Sequence, residues 1–345
     1  MKSLVYSAIR TVTLADRPEP TPRPDEVVLQ VSGTGICGSD LGGFLGLSPR
    51  RQPGLVLGHE TVGTVAQMPS MEAPDGGEWP FTPGQRVVVN PIMPCGVCAA
   101  CKSGQSTICA AWRLIGMDDL PGGFAERVAI RAANVFPVPD SLPDDRAVMI
   151  EPLANGVRLF NQISRHQFGN LAVFGAGTQG SLIVSLARLL GYREIAVVDV
   201  NPQRLAVVER LGAKYCINAR DTDPVEAIRQ TFGSIGADIV IDAYGSEQSR
   251  AQSVYACRKG GEIILLGLHE TFSSVDFNTI VRNELRLQGT FAYRPQEFAQ
   301  SKKLVESGDV DLSAWTETLP LEQGQAAFDK LVTNPGATLK IMLTP

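Results

Sequence analysis

One segment, "LAVFGAGTQGSLIVSLARLLGYREIAVVDV", restricts the fold of this chain more than any other. Four apolar residues, Leu171 to Phe174, run into Gly175-x-Gly177-x-x-Gly180. A helix-like stretch from about Thr178 to Leu190 follows, and a second apolar run, Ile195 to Asp199, ends in a carboxylate 19 residues past Gly180. A glycine triplet alone is a weak signal. Between a strand-like and a helix-like segment it reads as a phosphate-binding turn. Gly175 allows the tight turn, Gly177 lets the backbone approach a pyrophosphate, and Gly180 lets the helix pack on the sheet. The helix starting at Thr178 points its positive end at the pyrophosphate. Asp199 can accept from ribose hydroxyls and would repel a 2′-phosphate, which favours NAD over NADP. Arg204, just beyond, either packs against the adenine or is a solvated helix charge. The competing reading is a glycine-rich turn with no ligand.

The same alternation continues downstream. "KYCIN" precedes "DPVEAIRQTF", "DIVIDA" precedes "SEQSRAQSVYAC", and "GEIILLG" and "LRLQGT" supply fifth and sixth strands. Near-continuous apolar strands imply burial on both faces. Strand and helix in turn imply an α/β fold with a doubly wound parallel sheet. The first 150 residues differ. Short runs such as Val27–Val31, Thr61–Ala66 and Arg86–Asn90 lie between Gly- and Pro-rich turns, as in a β-rich, barrel-like domain. A chain of 345 residues is long for one core, so two domains are expected. We place the boundaries at 1–155 with 295–345, and 156–294. A net charge of −5 argues against nucleic acid as the main partner. The sequence shows neither a signal-peptide pattern nor an apolar run of membrane-spanning length, so a cytoplasmic protein with no membrane partner is expected.

Polar chemistry concentrates in four places. "GTGICGSDLGG" carries Cys37, Ser39 and Asp40; "LVLGHETVGTV" carries His59 and Glu60; "MIEPLANG" carries Glu151. Cysteine, histidine and carboxylate are ligand types that zinc accepts, and three protein ligands with an open position mark a catalytic site. On residue type alone, a core cysteine and a satisfied histidine remain the ordinary alternatives. The fourth place, "CGVCAACKSGQSTIC", holds Cys95, Cys98, Cys101 and Cys109, four of the chain's seven cysteines. In a reducing compartment such a cluster more often binds metal than forms disulfides. Ala110 follows the last cysteine, where a ferredoxin-type iron–sulfur motif would carry proline. Cys216 and Cys257 read as buried packing residues.

Together, "GICGSD", "GHETVG", the cysteine cluster, "EPLANGV", "GAGTQG" and "VVDVNPQRLAVVERLGA" resemble the zinc-dependent medium-chain dehydrogenase/reductase family, and in particular its polyol (sorbitol-type) branch. The resemblance spans essentially the whole chain. It implies a GroES-like β-rich catalytic domain plus a Rossmann NAD-binding domain. It implies Cys37, His59 and Glu151 as ligands of a catalytic zinc, with Glu60 a ligand in some states or a neighbour supporting them. Ser39 matches the hydroxyl that relays the substrate proton, and Asp40 a carboxylate that orients His59. Cys95, Cys98, Cys101 and Cys109 match a structural zinc lobe. Tyr293 and Arg294 fall where polyol dehydrogenases place substrate contacts, with packing as the alternative.

The expected activity is hydride transfer between a secondary alcohol of a polyol and NAD. The cofactors are two zinc ions and NAD, and the assembly a homotetramer or homodimer. Other readings are a simple alcohol or 3-hydroxy amino acid dehydrogenase, and a catalytically silent zinc- and NAD-binding protein. "MKSLV", "GICGSDL" and "NVFPVP" are also similar to relatives that act on a hexitol phosphate such as galactitol 1-phosphate. Such a substrate would need cations, and Arg50, Arg51, Arg113 and Arg294 are candidates. The sequence departs from many relatives after Asp40, where "LGGFLG" stands in place of a histidine or aromatic residue.

Overall fold

The computed structural model describes residues 1–74, 76–163, 169–312 and 315–345. The chain divides into two compact units. One comprises Met1–Pro152, Arg294–Gly308 and Leu312–Pro345; the other comprises Leu153–Tyr293 and Asp309–Asp311.

The second unit is built on a six-stranded parallel sheet. Its spatial order is Tyr215–Asn218, Ile195–Asp199, Leu171–Phe174, Ala237–Asp242, Cys257–Leu265, Arg286–Gly289. Leu171 pairs with Ile195 on one side and Ile239 on the other. Strand order therefore reverses between Leu171–Phe174 and Ala237–Asp242, which is where such sheets bind ligands at their carboxyl ends. The central strands are buried along their lengths, as apolar runs require. Helix starts follow local chemistry. Asn201 caps Pro202–Arg210 by accepting from Gln203 N and Arg204 N, and Asp223 caps Pro224–Thr231. Both helices open on proline, whose missing N–H costs nothing there.

One expectation fails in this unit. Cys216 is exposed rather than buried. It lies on the edge strand Tyr215–Asn218, where the period of two buries Ile217 and turns its neighbour outward. Cys257 is buried, as the first residue of strand Cys257–Leu265.

The first unit contains a seven-stranded sheet. Thr316–Pro320, Lys340–Thr344, Glu26–Gly35, Glu60–Gln67, Arg86–Val89 and Val135–Pro137 follow one another across it, and Arg127–Arg131 also pairs with Glu26–Gly35. The last strand of the chain thus lies beside Glu26–Gly35, with Leu343 opposite Thr34. Val27, Leu29, Val31, Val65, Val87 and Ile130 fill the core between strands. Phe44, Phe124 and Phe328 form a second cluster with ring centroids 5.0 and 6.0 Å apart. It anchors the short helix Gly38–Phe44, and so sets the position of Cys37, Ser39 and Asp40 at its start. Among the described residues, no helix is long and apolar enough to cross a membrane.

Candidate metal centres and nucleotide cradle

Cys37 is the N-cap of helix Gly38–Phe44, and its backbone N–H donates to Asp40 Oδ2 at 3.1 Å. His59 and Glu60 stand at the start of strand Glu60–Gln67. One ligand atom each from Cys37, His59 and Glu60 lies within 4.8 Å of the others. Glu151, buried in the first turn of helix Ile150–Gln162, stands outside this trio. It is near enough for its charge to act on Lys340.

Asp40 is fully buried. Burial alone would raise its pKa, but the charges of His59 and Arg51 and the Cys37 amide outweigh that and bring it to about 2. His59 Nδ1 lies 3.5 Å from Asp40 Oδ1, an ionic contact too long and misaligned for a hydrogen bond. Burial depresses the His59 pKa, yet Asp40 and Cys37 together lift it well above the ordinary histidine value. A site that gathers Cys37, His59 and Glu60 with ligand atoms within 4.8 Å suits a cation, and the soft–borderline donor set suits zinc.

The sequence reading missed Lys340. This lysine is 1% exposed, on the final strand, with Nζ 2.7 Å from the Glu60 carboxylate and donating to Ile36 O at 3.0 Å. Burial pulls its pKa down, but Glu60, Cys37 and Glu151 reverse the effect and raise it. A signal existed: a lone lysine precedes the apolar run Ile341–Leu343 in the terminal strand, "KIMLT".

The four arginines proposed as phosphate partners are all engaged. Arg50 pairs with Asp118 and lies over the Trp112 ring at 4.6 Å. Arg51 is buried against Ser39 and Asp40. Arg113 pairs with Asp119, and Arg294 makes a bidentate contact with Glu297 that starts helix Pro295–Ser307. Tyr293 is buried, at 2% exposure.

The cysteine cluster is compact. Cys95, Cys98, Cys101 and Cys109 offer sulfurs within 4.8 Å of one another, with 3.5 Å between Cys98 and Cys101 and 3.9 Å between Cys95 and Cys101. Tetrahedral zinc with Zn–S bonds of about 2.3 Å sets sulfur–sulfur distances of about 3.8 Å. These are therefore metal-cage spacings, and all four thiols are free of disulfides. The amides of Val97 and Cys98, with Cys109, lower the Cys95 pKa to about 6. Burial and neighbouring thiols push Cys101 up to about 12. Four thiolates need a cation to coexist.

In the second unit, Gly175 adopts φ +99°, and a Cβ at Gly180 would meet Gly175 O at 1.8 Å. Both glycines are thus required by the turn itself. Gly177 is the N-cap of helix Thr178–Leu189 with no capping side chain, so the positive end of the helix dipole faces the turn. Asp199 accepts from Ala176 N at 2.7 Å and Asn201 N at 2.8 Å, and each oxygen keeps a free lone pair. Arg204 points toward the Gly177 turn, and its buried Nε has no hydrogen-bond partner among the described residues. The sequence reading also missed Tyr244. Its half-exposed ring lies beside the Gly175 turn and stacks on His269 at 4.6 Å. The cradle has the shape and donors for a dinucleotide.

One unit carries a glycine cradle at a sheet switch point and the other a Cys–His–Glu cluster and a four-thiolate cage, the parts expected of a metal-dependent nucleotide oxidoreductase. Comparison with known proteins narrows the class. Residues 23–140 match the alcohol dehydrogenase GroES-like domain, and residues 180–307 match the zinc-binding dehydrogenase model. The chain is 30% identical to a sorbitol dehydrogenase of Bacillus subtilis, over all of this chain and 97% of that protein. Two solved structures superpose with TM-score 0.89. One is a zinc-binding dehydrogenase of Sinorhizobium meliloti bound to NADP, 26% identical, covering 100% and 99% of the two chains. The other is galactitol-1-phosphate dehydrogenase of Escherichia coli, 25% identical and covering both chains fully. The protein belongs to the zinc-dependent medium-chain alcohol dehydrogenase family.

Proposed function

We propose that the protein oxidises a secondary alcohol of an unphosphorylated polyol, with NAD as hydride acceptor. The observation that carries this reading is the Cys37–His59–Glu60 cluster, in which His59 and Glu60 are buried and Cys37 half-buried, with Ser39, an exposed residue, two positions from Cys37. Cys37, His59 and Glu151 would hold the catalytic zinc, and Glu60, neutralised by Lys340, would stand in reserve. When bound there, zinc supplies the Lewis acidity that brings a substrate hydroxyl toward neutral pKa. The Asp40 carboxylate, 3.5 Å from His59 Nδ1, favours the ring orientation that turns this nitrogen toward it. Ser39 takes up the alcohol proton and passes its own toward solvent. Cys95, Cys98, Cys101 and Cys109 would bind a second, structural zinc that orders a loop with little core of its own.

Gly175, Gly177, Thr178 and Gly180 would hold the pyrophosphate, Asp199 the adenosine ribose, and Arg204 and Tyr244 the adenine side. Asp199 faces the position of a 2′-phosphate, which supports NAD over NADP. An unphosphorylated substrate is supported by the arginines. Arg50, Arg51, Arg113 and Arg294 each already carry a carboxylate, so a phosphate would have to displace an ion pair. With Arg294 so held and Tyr293 buried, we favour structural roles for both. The edge strand Arg286–Gly289 is exposed along its length, and Phe272, Phe277 and Val281 are exposed beside it in sequence. That supports a homodimer or homotetramer formed through this edge.

The test is NADH formation from NAD with each hexitol and pentitol beside its 1-phosphate, before and after zinc chelation. Chelator-sensitive turnover of free polyols is expected. Turnover of phosphorylated polyols alone would refute the substrate class, and activity untouched by zinc removal would refute the metal's role.

A further inference from the structure

We propose that Arg51 is a positioning residue for the alcohol proton: its guanidinium fixes Ser39 Oγ and directs the hydroxyl to take a proton on one side and release it on the other. This rests on the alcohol-oxidising reading above. Adjacent arginines have opposite fates here. Arg50 stays near the surface with Asp118, whereas Arg51 turns inward and is 4% exposed. Its Nη2 donates to Ser39 Oγ at 3.0 Å and approaches Asp40 Oδ1 at 3.4 Å. Room for its stem comes from helix Gly38–Phe44. A Cβ at Gly43 would lie 2.2 Å from Arg51 Cδ. Gly43, in the run that departs from many relatives, is thus where the arginine side chain lies.

The consequence follows from hydrogen-bond inventory. A serine hydroxyl has one donor and two acceptor lone pairs, and a guanidinium has only donors and keeps its protons. With Arg51 on one lone pair, Ser39 Oγ retains one acceptor site and one proton to give. As the substrate O–H bond breaks, a new Oγ–H bond forms at the free lone pair. The original Oγ–H bond breaks and that proton leaves to water. The alcohol carbon loses its hydride to NAD and becomes a ketone carbon. Arg51 neither gains nor loses a proton. It stabilises the oxyanion character of Oγ while the proton is in transit, and Asp40 balances its charge. The burial of a guanidinium whose Nε has no hydrogen-bond partner among the described residues is costly for stability alone, so a role in the chemistry accounts for it better than a scaffold role.

The test compares Arg51→Met, Arg51→Lys, Ser39→Ala and the double variant Ser39→Ala/Arg51→Met. Each is assayed for kcat and KM with the best polyol, for zinc retention against a chromogenic chelator, and for melting temperature. Arg51→Met is expected to lower kcat by about 10²-fold, as loss of one preorganised donor does. KM and zinc retention should stay within about threefold of the parent. Arg51→Lys should restore about a tenth or more of the parental kcat, because charge and one donor remain. The double variant should be no slower than Ser39→Ala, since Arg51 acts through that hydroxyl. A kcat loss that tracks zinc loss, an unchanged kcat, or a double variant slower by the product of the single effects would overturn the role. If Arg51→Met fails to fold, Arg51→Lys in the parent and Ser39→Ala backgrounds decides by the same product rule. Absence of turnover by the unmutated protein with any alcohol overturns the parent reading and this one together, and is told apart because it needs no variant.

Discussion

Replacing Lys340 with methionine should destabilise the first unit severely, and the size follows from what surrounds Nζ. The ammonium lies 2.7 Å from the Glu60 carboxylate and 3.0 Å from Ile36 O, with both side chains almost wholly buried. Cys37 and Glu151 add further negative potential at the same point. Removing one member of a buried ion pair costs about 3–5 kcal/mol, because the other charge remains without compensation. The potentials of Cys37 and Glu151 at that point add to that of the orphaned Glu60, which puts the expected loss in the upper half of that range. All three tryptophans, Trp79, Trp112 and Trp315, belong to this unit, so its unfolding can be followed by fluorescence without interference from the other. For a unit of about 200 residues the melting temperature should fall by roughly 10 °C or more in zinc-free protein at neutral pH. Lys340→Met/Glu60→Gln should recover most of the loss, since it removes the carboxylate that Lys340 contacts directly. A single-variant loss below about 1 kcal/mol, the value of an exposed pair, would refute the reasoning. So would strict additivity of the two changes.

Three further outcomes are expected. Asp199→Ala should raise the KM for NAD by about 10- to 100-fold, the worth of one or two ribose hydrogen bonds, while improving use of NADP in a competition assay. Cys98→Ser should bind one zinc fewer per chain by metal analysis and make the 95–109 loop the first site of limited proteolysis. In zinc-free protein, Asp40 contributes stability that is full above its ordinary pKa of 3.8 and lost as pH falls toward about 2. It is worth about 2 kcal/mol, and Asp40→Asn should flatten the stability–pH curve across that interval.

The local features were legible because their causes are local. Leu171–Phe174 and Ile195–Asp199 are bounded by glycine or a turn and have no competing period, so strand and boundary coincide with the apolar run. The cysteine cluster and the glycine turn declare themselves by spacing. Cys216 was misread because a strand's apolar character does not reveal which edge it will occupy. Lys340 and Arg51 were missed, or assigned elsewhere, for another reason. Lys340 meets a partner 280 residues away, and Arg51 reaches Ser39 only because the intervening helix and loop fold back. No period or spacing encodes such meetings. They appear when charges are traced to their burial sites.

The position of Lys340 also bears on how the chain is made. Glu60 emerges from the ribosome well before its counterion, which is encoded 280 codons later. At about 5–20 residues per second, the 280 residues between them take roughly 15–60 s to synthesise. Throughout that time Glu60 has no cation to bury against, and the strand that completes the sheet does not yet exist. Nascent chains stalled before Lys340 should therefore remain protease-sensitive around Glu60–Gln67, and those in which Lys340–Thr344 has emerged should not. Through this one ion pair, burial of the metal-site carboxylate becomes conditional on translation having reached Lys340.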